Sequence, residues 1–372
     1  MTRNVLLTGG TGLVGADVLR RLLAGYPDLG VTAIVRGNDT AAAAGRLRAA
    51  VELLEGHRLQ RGAWDRVRVL CGDMTEERCG LSTAQIAELQ ATHIVHAASD
   101  VRFGLPLDEA RKVNVGGTMG MLEIARTLRR TGSLQRFTYV STAYVCGNRN
   151  GVIYEDDDRS PSFSNTYEQT KYESEQLVRA AMAELPASIL RPSIIVGDAH
   201  TGRTNAFKAL YAPLRLLVRN LVRFLPCDER TPLDVVPVAC VSWVICDRLF
   251  GAGASVGRTL HLTAGDKASS TVGEIVRGAL RSGGHCSAPH VLFVRPEEFN
   301  FADVQGAGER ALISALAQFA PYLAINRSFD DAQTRSLLRG SGISMAPFSS
   351  YLSTILRFAI DSGWGRRFAT AA

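Results

Sequence analysis

Tyr167 and Lys171 stand four residues apart in the spacing Y-x-x-x-K, about one turn of a helix. On a helix the phenol and the ammonium therefore project from one face into one cleft. A free phenol ionises near pH ~10 and is a poor acid–base group at neutrality. A neighbouring positive charge favours the phenolate and is expected to bring the group toward the working range. Upstream, Val140-Ser141-Thr142-Ala143-Tyr144 puts two hydroxyls at the end of an apolar run. Thr142 is the candidate to hydrogen-bond a substrate carbonyl, with Ser141 as its rival. A hydroxyl that steadies developing negative charge and a phenol that delivers a proton are the parts needed to reduce a carbonyl, and they need no metal.

These groups can act only if the chain brings them to one crevice. Val5-Leu6-Leu7 is an apolar run that ends in Thr8-Gly9-Gly10-Thr11-Gly12-Leu13-Val14-Gly15. A helical pattern follows with Val18, Leu19, Leu22 and Leu23 on one face, then the β-branched run Val31 to Val35. That is the opening strand–helix–strand unit of a parallel sheet. Glycines at 9, 12 and 15 let backbone N–H groups approach a pyrophosphate at a helix N-terminus, so this turn predicts dinucleotide binding. The second strand ends in Arg36 where an NAD enzyme usually carries Asp or Glu, and a guanidinium suits the 2′-phosphate of NADPH. An oxidised nicotinamide beside Tyr167 would add to the pull of Lys171, which can also hold the ribose hydroxyls.

The alternation continues through Val67–Leu70, His93–His96, a helical stretch from Val115 to Leu128, Arg136–Val140 and Ser188–Leu190. The expected fold is α/β, a doubly wound parallel sheet of the Rossmann type, with a smaller interleaved C-terminal substrate region. The boundaries read as a nucleotide-binding domain over 1–200 with a return segment at about 232–265, and a substrate or lid region over 201–231 and 266–372. Within that region Ala307 to Phe319 and Phe348 to Ile360 read as helices; in the nucleotide-binding domain Ala41–Ala44 reads as the start of one. The stretch Tyr211 to Phe224 reads as an amphipathic helix, with a lid, a membrane-surface helix or a carrier-docking face as the functional alternatives.

With 46% hydrophobic and 21% charged residues, the 372-residue chain has the composition of a soluble globular protein. A net charge of +6 favours an anionic cofactor, a phosphorylated carrier or an acidic partner. No Lys/Arg stripe or zinc-finger spacing accompanies it, so nucleic acid is not expected. Seven scattered cysteines without a C-x-x-C pair fit reduced thiols. With no leader-like start and no long apolar run, the expected location is cytoplasmic. His96 and His93 lie in an apolar strand and read as core residues, and no histidine pair has metal-ligand spacing.

Taken together, these segments resemble the extended short-chain dehydrogenases, and within them the thioester-reductase and male-sterility fatty acyl reductase branch. The resemblance rests on Leu7 to Gly15, Ile34-Val35-Arg36, Gly72-Asp73-Met74 with Gly80-Leu81-Ser82, and His96-Ala97-Ala98. It continues through Asn114-Val115-Gly116-Gly117-Thr118, Tyr139 to Val145, Tyr167 to Lys171, Arg191-Pro192-Ser193 and Asp234 to Val238. It is close from residue 5 to about 245 and loose beyond. It implies that Thr8, Thr11 and Leu13 join the three glycines at the cofactor, and that Asp73 and Met74 flank the adenine. It further implies that Ala97, Ala98, Arg191 and Pro192 line the cofactor, that Arg36 and Arg46 take the 2′-phosphate, and that Asn114 supports the active site.

Members of that branch reduce a thioester, on coenzyme A or on a carrier protein, to an aldehyde and sometimes to the alcohol. No adenylation or carrier domain is legible in the chain, so an acyl carrier protein would deliver its substrate in trans. The same catalytic set serves other reactions. Alternatives are a reductase of a free ketone or aldehyde, a hydroxysteroid-type dehydrogenase, a nucleotide-sugar epimerase or dehydratase, and a non-catalytic NADP(H)-sensing protein. The last would not need Tyr167, Lys171 and Thr142 together.

Overall fold

The computed structural model describes residues 3–54, 59–157, 159, 162–251, 256–285, 291–294 and 319–366. Seven strands form the main sheet: β1 (Asn4–Thr8), β2 (Gly30–Val35), β3 (Val67–Cys71), β4 (His93–His96), β5 (Arg136–Val140), β6 (Ala187–Pro192) and β7 (Thr259–Leu262). Their order is β7-β6-β5-β4-β1-β2-β3, and each pairing is parallel. The strands read as nearly continuous apolar runs because helices cover both faces of the sheet. The longer helices are α1 (Leu13–Gly25), α2 (Thr40–Glu52), α3 (Gly117–Arg130), α4 (Thr166–Ala181), α5 (Tyr211–Val218), α6 (Val238–Phe250), α7 (Val272–Ser282) and α8 (Phe348–Asp361). This is the doubly wound parallel sheet that the alternation predicts.

Two cores lie against the sheet. On one face α1, α2 and α6 cover it, with Leu19, Leu22, Leu47, Val241, Val244 and Ile245 buried together. On the other, α3 and α4 contribute Met121, Ile124, Ala125 and Val178. A third core lies beyond the carboxyl edge, where α5, α7 and α8 pack through Leu214, Leu217, Ile275, Val276, Leu352 and Ile355. Short strand pairs connect this region to the rest, Ile194–Val196 with Val235–Pro237 and Gly151–Ile153 with Arg327–Phe329. β7 returns to the main sheet and pairs with β6.

The helix expected from Phe348 to Ile360 is α8. The stretch from Tyr211 is helical only to Val218, with Tyr211, Leu214, Leu217 and Val218 buried, and Phe224–Pro226 is a short strand. The helix expected over 307–319 lies outside the described residues except for Phe319. Among the described residues, no helix is long and apolar enough to cross a membrane.

Candidate functional site

The glycine turn is built by three different steric demands. Gly9 has φ +75°, and a Cβ there would lie 2.5 Å from the Ala97 carbonyl carbon. At Gly15 a Cβ would lie 2.2 Å from the Gly9 carbonyl oxygen, so α1 packs directly on the turn. Gly12 differs, because its added Cβ would meet only the Gly9 oxygen, at 3.4 Å. Its bare side therefore faces open space, as a backbone that must admit a ligand would. α1 starts at this point with no side-chain cap and no acid in its first turn, so its leading N–H groups stay available to an anion. The residues present fit a dinucleotide pyrophosphate.

Thr8 has a structural duty here. Its Oγ1 accepts from the Ala98 N–H at 3.3 Å and shares a 2.7 Å hydrogen bond with His96 Nδ1. His96 Nε2 meets Thr118 Oγ1 at 3.1 Å, and that hydroxyl donates to the Asn114 carbonyl. The proton order follows: Nε2 carries the hydrogen and Nδ1 accepts from Thr8. Burial, then the Lys171 charge, pushes His96 down to about 3, so it stays neutral. It is a satisfied core residue that ties β1 to β4 through the Thr8 hydroxyl.

At the end of β2, Arg36 is exposed and the Arg46 guanidinium donates to its carbonyl oxygen. Among the described residues neither arginine has an acidic partner, and both are exposed. Arg48 lies elsewhere, 5.0 Å over the Trp64 ring. The Asp73 carboxylate accepts from the Thr75 N–H and hydroxyl, both at 2.9 Å, which shapes the loop after β3. Met74 packs on Gly117, where an added Cβ would lie 2.9 Å from the Met74 Cβ.

Tyr167 lies in the first turn of α4, which Asn165 caps by accepting from the Glu168 N–H at 2.9 Å. The Tyr167 phenol hydrogen-bonds Thr142. Thr142 Oγ1 also donates to the Pro192 carbonyl at 3.3 Å. Ser141 Oγ donates instead to Glu175 Oε2 at 2.6 Å, behind the sheet edge. Of the two rival hydroxyls, Thr142 is the one beside the phenol. Lys171, one turn on and buried, donates to the Val140 carbonyl at 2.7 Å, with Nζ 4.3 Å from the Tyr139 ring centre.

Burial dominates the electrostatics that the chain itself gives both groups. Burial pushes the Tyr167 phenol up to about 12, the Thr142 bond offsets part of this, and Glu168 adds to the rise. Burial also takes Lys171 down to about 7. The lysine does not hold the phenol down, because desolvation weighs on both groups. The chain's own residues therefore keep Tyr167 protonated at neutral pH, the state of a proton donor.

The Arg191 guanidinium points into the core, 2.6 Å from Glu175 Oε1, with side-chain exposures of 4% and 0%. Its side chain is engaged in that ion pair, and the Pro192 carbonyl accepts from Thr142. Glu175 continues the ladder Tyr167–Lys171–Glu175 at four-residue steps, the one signal in the sequence that could have revealed it. Asn114 sits in a widened, π-type turn at Lys112–Gly116. Its amide donates to Thr170 Oγ1 at 2.9 Å and accepts from the Asp100 N–H at 2.7 Å. It thus joins α4 to the loop after β4. Asp234, buried, accepts from the Ala264 and Gly265 N–H groups and fixes the loop after β7. Among the described residues no group of three or more His, Cys, Asp or Glu could hold a metal ion.

Residues 7–245 match the family model described as male sterility protein. The chain is 33% identical over 277 residues to the nonribosomal peptide synthetase asaC of Aspergillus flavus, across 69% of its own length and 26% of that protein. It is 29% identical over 281 residues to the L-2-aminoadipate reductase large subunit of Penicillium chrysogenum, across 70% of its length and 19% of that protein. The chain spans about half or less of the length of the curated relatives it matches first. Among solved structures it resembles the terminal R domain from the myxalamid PKS-NRPS biosynthetic pathway, with a TM-score of 0.79 and 27% identity over 98% of this chain and 92% of that one.

Proposed function

Because the chain belongs to the male sterility protein family, we propose that it is an NADPH-dependent reductase of acyl thioesters, carried on coenzyme A or on a carrier protein in trans, yielding an aldehyde or the alcohol. The observation that carries this reading is the meeting of Tyr167 and Lys171, one turn apart on α4, with the Thr142 strand end and the open glycine turn at the carboxyl ends of one parallel sheet. The likeness to a peptide-synthetase terminal R domain and to an aminoadipate reductase supports the thioester.

The bound nicotinamide would supply the hydride. Tyr167 donates to the substrate carbonyl oxygen, and Thr142 would join it by turning its hydroxyl proton from the Pro192 carbonyl to that oxygen, so that both stabilise the negative charge that develops there. Tyr167 then transfers its proton to that oxygen, leaving a hemithioacetal. Collapse of the hemithioacetal releases the thiol and the aldehyde. Lys171 would hold the ribose hydroxyls when the dinucleotide is present. Arg36 and Arg46 would hold the 2′-phosphate, with Gly9, Thr11, Gly12, Leu13 and Gly15 toward the pyrophosphate and Asp73, Met74, Ala97 and Ala98 toward the adenine side.

The test is NADPH oxidation by the purified chain against acyl-CoA, carrier-loaded acyl, aldehyde and ketone substrates. Consumption with a thioester and release of thiol is the expected result; turnover of free ketones alone overturns it. A second prediction concerns the cofactor. Arg36→Asp removes a charge-assisted bond worth about 1.5–3 kcal/mol, so the Kd for NADPH should rise roughly 10–100-fold while that for NADH changes little. Nucleotide titration of both proteins checks this, and an unchanged preference overturns NADPH.

A further inference from the structure

The stretch from Tyr211 to Phe224 belongs to a longer segment with an uneven charge balance. Residues 199–227 contain no Asp or Glu and carry Arg203, Lys208, Arg215, Arg219 and Arg223. Two of these cations turn elsewhere: Arg203 donates to the Leu53 carbonyl, and Lys208 lies near Asp100. Arg215, Arg219 and Arg223 follow at four-residue steps through α5 and the turn beyond it. Arg366 joins them from the turn after α8. That turn is seated on Phe207, since a Cβ at Gly365 would lie 2.6 Å from the ring, and Phe207 meets Tyr211 of α5 at 5.3 Å between centroids. Burial, then the charges of Arg219 and Arg366, hold the Arg215 guanidinium below its usual range. Among the described residues none of these four arginines has an acidic partner. The first acids beyond the segment, Asp228 and Glu229, are engaged by Arg230 and Arg277 at 3.3 and 3.1 Å. Asp361 shares the groove between α7 and α8 with Arg281 and Arg357.

Apolar side chains stand out among these charges. Asn220, at φ +55°, closes α5 in the left-handed conformation; its N–H donates to the Leu217 carbonyl at 2.9 Å and that of Leu221 to the Leu216 carbonyl at 3.0 Å. The apolar residue after such a helix end commonly folds back on the helix, yet Leu221 is 50% exposed. Val222 and Leu225 take the inward positions, and Phe224 is left 47% exposed. The strand Phe224–Pro226 pairs in parallel with Leu292–Val294, which sets Leu292, 53% exposed, beside Phe224. The apolar face of α5 itself is buried in the third core, so the helix cannot lie on a membrane by that face. What reaches solvent is an apolar tip beside unpaired guanidiniums.

We propose that this tip, Leu221, Phe224 and Leu292 with Arg215, Arg219, Arg223 and Arg366, docks the protein on an anionic lipid surface. Lipid phosphates meet the guanidiniums while the three apolar side chains enter the headgroup boundary. Each arginine held near such a surface gains about fivefold in partition. A bilayer accepts apolar side chains wherever they fall, whereas a folded acidic protein needs a pocket for each; protruding side chains and an unpaired positive rim suit the bilayer. The inference stands apart from the reductase reading, because it uses no residue placed in the catalytic or cofactor site.

The test is co-sedimentation of the full chain with vesicles of phosphatidylcholine alone and with about one third phosphatidylserine. Binding should be about tenfold or more tighter to the anionic vesicles, and should weaken severalfold when salt rises from about 0.1 M to about 0.5 M. Arg219→Glu with Arg223→Glu should weaken it about 25-fold or more, from about fivefold for each lost cation. Arg129→Glu with Arg130→Glu changes the net charge equally at the last turn of α3, at the amino end of the sheet, and should leave binding within about twofold. Leu221→Ser with Phe224→Ser should cost about tenfold in high salt as well as low. Melting curves establish that each variant is folded. Equal binding to both kinds of vesicle, or an equal loss in the two arginine pairs, overturns the proposal. So does capture of soluble polyglutamate by a chain that ignores the anionic vesicles, which would assign the tip to an acidic protein.

Discussion

Tyr167→Phe is expected to lower kcat for thioester reduction by about 10²–10⁴-fold, the range that one positioned acid–base group supplies. The substitution removes one oxygen and leaves the ring, so the packing against Phe103 survives. Thr142 keeps its bond to the Pro192 carbonyl, and Lys171 keeps its bond to the Val140 carbonyl. Nothing in the glycine turn depends on the phenol. Nucleotide affinity and thermal stability should therefore change little while turnover collapses. The measurement is kcat beside a nucleotide titration and a melting curve on the same protein. Turnover within tenfold of wild type would remove Tyr167 from the chemistry. A collapse of nucleotide binding as well would make its role architectural.

Glu175→Leu should cost about 3–5 kcal/mol of folding stability, because it strands a buried guanidinium. Glu175 is fully buried and holds Arg191 at 2.6 Å, Arg179 at 3.0 Å and the Ser141 hydroxyl at 2.6 Å. Arg179 is partly exposed and can turn to solvent, but Arg191 cannot. The same reasoning gives the control. Glu175→Leu with Arg191→Met removes both charges and should recover most of the loss, since an apolar pair of similar volume often replaces a buried ion pair at little cost. Denaturant unfolding of the two proteins decides it. A loss under about 1 kcal/mol in the single variant would mean that water or a backbone carbonyl already satisfies Arg191.

Much of the frame is legible because each strand of a doubly wound sheet is an apolar run closed by small or polar residues. β1 ends at the glycine turn, β4 at Ala97-Ala98 and β5 at Ser141-Thr142, and these closings coincide with the crevice. What stays hidden is direction. Neighbouring strand residues face opposite sides, so Ser141 and Thr142 had to diverge, but only the buried Glu175 shows which of them turns inward. Arg191 enters the sequence reading only through the family resemblance, which says nothing of its side-chain partner. Its partner lies on another element, and no local pattern announces the pair. The Y-x-x-x-K spacing suggests a charge couple of phenol and ammonium, but burial is the larger influence on both groups within the chain. Phe103 and Tyr322 are far apart in sequence and share no periodicity, so their ring contact, like that of Phe103 with Tyr167, is a property of the fold alone.

The position of β7 has a consequence for how the protein is made. β7 pairs with β6, but the stretch 193–258 separates them in the chain. At about 5–20 residues per second, β6 leaves the ribosome roughly 4–14 s before its neighbour. Until then Ile189 and Leu190, buried in the finished sheet, sit on an open strand edge that any other nascent chain can pair with. The hazard of aggregation is therefore concentrated in one interval of synthesis, and slower growth or a chaperone that shields that edge would raise the yield of folded protein.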